Sequence, residues 1–215
     1  MRDDVLLTPD LLLRAYKVGI FPMSEARHSA TLFWVDPERR GIMPLDGLHV
    51  SRSLRRTLRR GGFDIRVNSD FAGVVEGCAN RPETWINEEL FSLYQDLFED
   101  GHAHSMEVWD DAGLMGAIFG VAIGGAFFGE SMFSARTNGS KIAMVYLVDR
   151  LIRAGFTLFD TQFITDHLLS LGAREITRSA YRRALGHAIT IHGDFAGVPG
   201  PGDVQDVLHR ITQTS

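Results

Sequence analysis

Apolar positions along this chain follow one rhythm up to about residue 101 and another after it. In the first part they recur three or four residues apart, as one face of a helix does. In the second they alternate or run together, as strands do. Thr8-Pro9-Asp10 predicts the first helix start: a capping hydroxyl, then proline at the first helical position. LLLRAYKV carries that helix to Gly19, a C-terminal stop. Ser51 caps a second helix, in which Leu54 and Leu58 form a narrow apolar stripe before Gly61-Gly62. Ser69 starts a third, with Phe71, Val74, Val75 and Cys78 inward. Asn87 caps a fourth. Glu88 and Glu89 suit its positive end, and Leu90, Leu93, Tyr94, Leu97 and Phe98 form its buried stripe.

From residue 104 the pattern predicts strands over 104–109, 114–123 and 126–133. The turn at 110–113 and Gly124-Gly125 join them as hairpins, which makes an antiparallel meander. A helix over 140–154, a strand over 156–163, a short helix over 166–171 and another over 179–185 follow. Residues 20–47, with Pro22, Pro37 and Pro44, read as an irregular aromatic-rich loop. The glycine- and proline-rich stretch after Gly186 reads as a tail with one or two helical turns near its end. The organisation expected is a small N-terminal domain (1–47), a catalytic domain (48–186) and a C-terminal tail (187–215). The element order is α+β, and it resembles the GNAT-like (acyl-CoA N-acyltransferase-like) fold with its antiparallel meander.

Composition narrows the class. With 45% hydrophobic and 23% charged residues, the chain has enough apolar surface for a core. No apolar run approaches the roughly 20 residues a membrane-spanning helix needs. The start MRDDVLLTPD puts two acids where a signal peptide wants positive charge, and Cys78 has no second cysteine to pair with. Both point to a reducing, cytoplasmic compartment. Net charge is -5, yet HVSRSLRRTLRR (49–60) holds Arg52, Arg55, Arg56, Arg59 and Arg60 and no acid. That helix is either a solvated face or a surface for an anionic partner such as RNA phosphate.

Candidate chemistry sits on the strands. In FDTQF (159–163), Asp160 and Gln162 are two residues apart and share one strand face. Glu130 interrupts the apolar strand FFGESMF (127–133). If those strands are neighbours, the three polar groups converge in a pocket walled by phenylalanines and methionine; otherwise they are satisfied buried groups or strand ends in water. The loop SARTNGSK (134–141) precedes a helix, and its backbone amides with Arg136 and Lys141 could cradle an anion or simply cap the helix. The pair His102 and His104 has no metal-spaced partner, and Cys78, Trp34, Trp85 and Trp109 read as core.

Together, YKVGIFPM (16–23), FWVDPERRGIMP (33–44), LHVSRSLRR (48–56), VVEGCAN (74–80), ETWI (83–86), GHAHSMEVW (101–109), FGESMFS (128–134), NGSK (138–141), FDTQF (159–163) and DHLLSLGAREI (166–176) resemble, in order and spacing, the bacterial leucyl/phenylalanyl-tRNA–protein transferases. The resemblance spans about residues 10–185. It implies transfer of Leu or Phe, and Met less well, from aminoacyl-tRNA to the N-terminal α-amine of proteins beginning with Arg or Lys, which marks them for the N-degron pathway. It implies no metal, no coenzyme A, no membrane and a monomer. Carried over residue by residue, it places catalytic roles on Asp160, Gln162 and Glu130. The aminoacyl pocket falls on Ile118, Phe127, Ser131, Met132 and Phe133, with Trp85 at the tRNA 3′ end. RNA contacts are expected from the charge of the basic helix, at Arg52, Arg55, Arg56, Arg59 and Arg60, and at Asn138, Ser140 and Lys141 of the loop before the next helix. Gly139 stands where alanine is commoner in the family, and Thr161 where cysteine is common.

Chemically, a protein α-amine with a pKa of about 7.7–8.0 arrives mostly protonated at neutral pH. Asp160 is expected to hold that ammonium and accept its proton, Gln162 to orient it or donate to the tetrahedral oxygen, and Glu130 to position an amino group. The alternative within the family leaves Asp160 a positioning role, with the terminal ribose hydroxyl relaying the proton. A coenzyme A-dependent N-acetyltransferase and a non-catalytic tRNA-binding module are the competing functions.

Overall fold

A computed structural model describes residues 7–29 and 31–213. The acidic N-terminal run that argued against a signal peptide lies largely outside them. The first helix, α1 (Pro9–Lys17), starts as its cap dictates: Thr8 Oγ1 accepts the Leu11 amide at 3.3 Å. The segment expected to be loop instead forms three strands of four residues each, β1 (Phe21–Ser24), β2 (Leu32–Val35) and β3 (Arg39–Ile42). Strands so short carry too few alternations to announce themselves. After them come α2 (Arg52–Arg60), capped by Ser51, and β4 (Asp64–Val67), a strand the apolar pattern did not predict.

Helix α3 (Phe71–Ala79) is capped by Asp70 rather than by Ser69. Ser69 is taken up elsewhere: its amide and hydroxyl both bond the buried Glu107, which also accepts the Asp70 amide. Helix α4 (Glu88–Glu99), capped by Asn87, leads into the meander β5 (Ala103–Asp110), β6 (Gly113–Ile123) and β7 (Ala126–Ser134). The chain continues through α5 (Gly139–Arg153), β8 (Leu158–Gln162), α6 (Asp166–Ser170), β9 (Arg174–Thr177), α7 (Arg178–Ala188) and α8 (Val204–Gln213).

The architecture is mixed α/β. β1 and β2 make a separate antiparallel pair; the other strands form one seven-stranded sheet in the order β4-β5-β6-β7-β8-β3-β9. Only β7 and β8 run parallel. Strand β3 lies between β8 and β9, so residues 39–42 belong to the large sheet although they precede the expected boundary at 47. Apolar clusters cover both faces. One gathers α2, α5 and α8, and the other α1, α3, α4 and α7.

The expected tail is packed structure. Helix α8 runs for 10 residues, and the fully buried Asp149 of α5 takes ion pairs from Arg153 at 2.9 Å and from Arg210 of α8 at 2.6 Å. Arg150 donates to the carbonyls of Phe195 and Val198, which pins the approach to α8. Among the described residues, no helix is long and apolar enough to cross a membrane.

Two irregularities in the sheet shape the site. The β7–β8 pairing covers only Ala126–Phe128 against Leu158–Asp160, after which the strands part. On the other side of β7, Gly120 faces Gly129 and Phe119 faces Ser131, so Glu130 is an extra residue with no partner across the ladder. That is a β-bulge, a device that re-aims a side chain and bends its strand.

Candidate active site

Where β7 and β8 diverge, the bulged Glu130 turns inward and is 8% exposed. Tyr16 Oη of α1 donates to its Oε1 at 2.7 Å. Tyr94 Oη of α4 and Gln162 Nε2 of β8 donate to its Oε2 at 2.8 and 3.0 Å. Burial pushes the Glu130 carboxyl up to about 7, against the pull of those three donors. Burial, joined by the nearby Glu130 charge, also raises both tyrosines, so they stay protonated donors. An ionised carboxylate oxygen accepts about two hydrogen bonds; Oε1 takes one from the described residues and Oε2 takes two.

Asp160 is 0% exposed and has its own set of partners. Arg40 Nε bonds its Oδ1 at 2.9 Å, and Arg40 Nη2 and Tyr181 Oη each reach its Oδ2 at 2.6 Å. The Gln162 amide completes the set at 2.8 Å to Oδ1. Arg40 itself is 1% exposed, its guanidinium 4.5 Å from the ring centroids of both Phe21 and Tyr181, and Nη1 donates to the Gly19 carbonyl. Gln162 has a φ of 61°, in the left-handed region that non-glycine residues seldom occupy. The Asp160 oxygen on its amide stabilises that turn and aims the side chain at Glu130.

Beside this cluster lies a cavity of about 70 Å³ lined by Ile118, Gly129, Glu130, Ser131, Met132, Met144, Phe159, Thr161 and Leu168. Of the expected pocket residues, Ile118, Ser131 and Met132 line it. Phe127 does not: it is buried behind, stacked on Phe195 with centroids 5.4 Å apart. Phe133 covers Gly77 of α3. Trp85 is half-buried and edge-on to Tyr94, 6.2 Å between centroids. Trp34, expected in the core, is 45% exposed on β2.

On α2, Arg52, Arg56, Arg59 and Arg60 are exposed, and Arg55 is half-buried with Nε on the Val50 carbonyl at 3.1 Å. None of the five is in an ion pair among the described residues. The 134–141 loop is less open than expected. Ser140 is buried, its amide and hydroxyl both bonded to Ser134 Oγ, and Arg136 is held by Asp110 with two 2.7 Å bonds. Asn138, left-handed at φ 72°, and Lys141 are half-buried.

The residues that sequence reasoning missed are Arg40, Tyr16, Tyr94 and Tyr181. A tyrosine on an apolar helix face must find a partner for its hydroxyl, and that need was the available signal.

The arrangement is a buried carboxyl that ionises near neutrality, ringed by donors and set in the wall of an apolar cavity. Such a site suits an enzyme that handles aminoacyl groups. Two sequence profiles match the chain: that of leucyl/phenylalanyl-tRNA protein transferase over residues 42–186, and that of its N-terminal domain over 6–38. A Ruegeria protein described as leucyl/phenylalanyl-tRNA–protein transferase is 60% identical over 211 residues, covering 97% of this chain and 99% of the relative. A Jannaschia protein of the same description is 59% identical over 194 residues, covering 90% and 92%. The chain belongs to the leucyl/phenylalanyl-tRNA protein transferase family. Among solved structures, the crystal structure of FemX aligns at a TM-score of 0.49 and 11% identity, over 82% of this chain and 65% of that one.

Proposed function

We propose that this chain moves leucine or phenylalanine, and methionine less well, from its tRNA ester to the α-amine of a protein beginning with Arg or Lys. The new N-terminus then marks that protein for degradation in the cytoplasm. The observation that carries this reading is Glu130, which lines an apolar cavity while its buried carboxyl is held by Tyr16, Tyr94 and Gln162. The aminoacyl side chain fills the cavity and its ammonium bonds Glu130. The parted β7–β8 pair within a mixed sheet supports a GNAT-like route for the acceptor amine to the ester carbonyl.

The acceptor nitrogen attacks the ester carbon, and the tetrahedral intermediate collapses to an amide as the ribose oxygen leaves. Asp160 is enclosed and bonded at both oxygens, so it acts as a positioning residue for Gln162 rather than as the base. The amine proton passes to the departing ribose oxygen through the neighbouring ribose hydroxyl. Gln162 orients the groups around Glu130. The arginines of α2 meet tRNA phosphates. The test mixes the protein with labelled Leu-tRNA and a peptide starting with Arg: label enters that peptide and not its N-acetylated form. Absence of label in both sinks the proposal.

A further inference from the structure

Arg81 stands just after α3, at the start of the segment that carries Trp85. Its Nη2 donates to Ser131 Oγ at 3.0 Å. Ser131 follows the bulged Glu130 and lines the apolar cavity. Arg81 is exposed, and among the described residues no carboxylate comes within ion-pair distance of it. Of the acids near it, Glu76 is paired with Arg27 at 2.9 Å, Glu130 is held by Tyr16, Tyr94 and Gln162, and Glu83, two residues on, is exposed and makes no ion pair with it. A fixed positive charge is thus tethered at the rim of the site without a protein counter-charge.

The proposed reaction leaves one group for that charge to meet. With the aminoacyl side chain in the cavity and its amino group on Glu130, the ester and the terminal ribose project outward from the same carbon. The nearest full negative charge on the donor is the phosphodiester joining the last two nucleotides. An arginine is suited to it, since its planar fork can present several N–H groups to phosphate oxygens while one arm stays on a hydroxyl. We infer that Arg81 binds this 3′-terminal phosphodiester and so sets where the ester carbonyl lies relative to Glu130, an inference that rests on reading the site as one for aminoacyl-tRNA.

The experiment compares two full-length donors. One is leucyl-tRNA with its natural last linkage; the other carries a neutral methylphosphonate there. With wild-type protein, the neutral linkage raises KM roughly tenfold or more. In Arg81→Ala, KM for the natural donor rises by a similar factor and the two donors become equivalent; Arg81→Lys keeps part of the difference. Retention of the full difference in Arg81→Ala overturns the inference. So does equivalence of the two donors with wild-type protein, or an equal fall in kcat with both donors in the variant, which would place the arginine on the reacting carbonyl. If wild-type protein transfers nothing even from the natural donor, the functional reading itself fails, and that is visible before any variant is made.

Discussion

Arg40 and Asp160 form an ion pair shut off from water, 2.6 Å between Nη2 and Oδ2, with both side chains essentially unexposed. Such a pair is costly to break on one side because the surviving charge is left buried alone, typically about 3–5 kcal/mol. Arg40→Met is therefore expected to destabilise by roughly that amount, and the Arg40→Met, Asp160→Asn double variant by less than the sum of the singles. Urea unfolding of the four proteins checks this. Strict additivity would mean the pair is not coupled.

Asp160→Asn is expected to lose both stability and transfer, because an NH2 group cannot accept from Arg40 Nη2 and Tyr181 Oη and Arg40 is left buried without its counter-charge, which disturbs the shell that sets Gln162. A pure base role predicts a different outcome: lost transfer with stability intact. Measuring unfolding and single-turnover transfer on the same sample separates the two.

Glu130 ionises near pH 7 in the fold rather than at the ordinary 4.5. Between those values the folded chain binds more protons than the unfolded one, so stability falls as pH rises, by up to about 3 kcal/mol. That fall should shrink in Glu130→Gln when unfolding free energies at pH 4.5 and 7.5 are compared. An equal fall in both proteins would show that Glu130 titrates at its ordinary value.

Met132 is half-buried in the cavity wall, so trimming it disturbs the core little. Met132→Ala should improve phenylalanyl over leucyl transfer by roughly tenfold, the scale set by about 1–3 kcal/mol per methylene in apolar pockets. The ratio of kcat/KM for the two donors is the measurement, and an unchanged ratio removes Met132 from the specificity pocket.

The arginines of α2 carry charge that no protein acid neutralises among the described residues. Binding of tRNA should weaken steeply with salt, and Arg55→Ala with Arg59→Ala should flatten the slope of log affinity against log salt by about 2. An unaltered slope takes the helix out of the RNA interface.

What the sequence revealed follows how far each interaction reaches. Thr8, Ser51 and Asn87 cap helices through bonds to amides three residues ahead, so local reading found them. The conjunction of Glu130 with Gln162 was legible because each interrupts an apolar strand. Tyr16 and Tyr94 meet across 78 positions, and nothing local announces it. Arg40 was hidden within PERRGI, in a stretch read as loop, although it pairs across 120 positions with Asp160. The bulge at Glu130 exists only in the register between β6 and β7, which no single strand encodes.

Because β3 is threaded between β8 and β9, the last strands of the sheet hang on a piece of chain that is made early. Residues 39–42 have no sheet partner until β8 and β9, through Thr177, have also been made. Two fragments cut between β3 and α2 would each carry a raw sheet edge, and only their reunion could rebuild the Arg40 contact on which Asp160 depends.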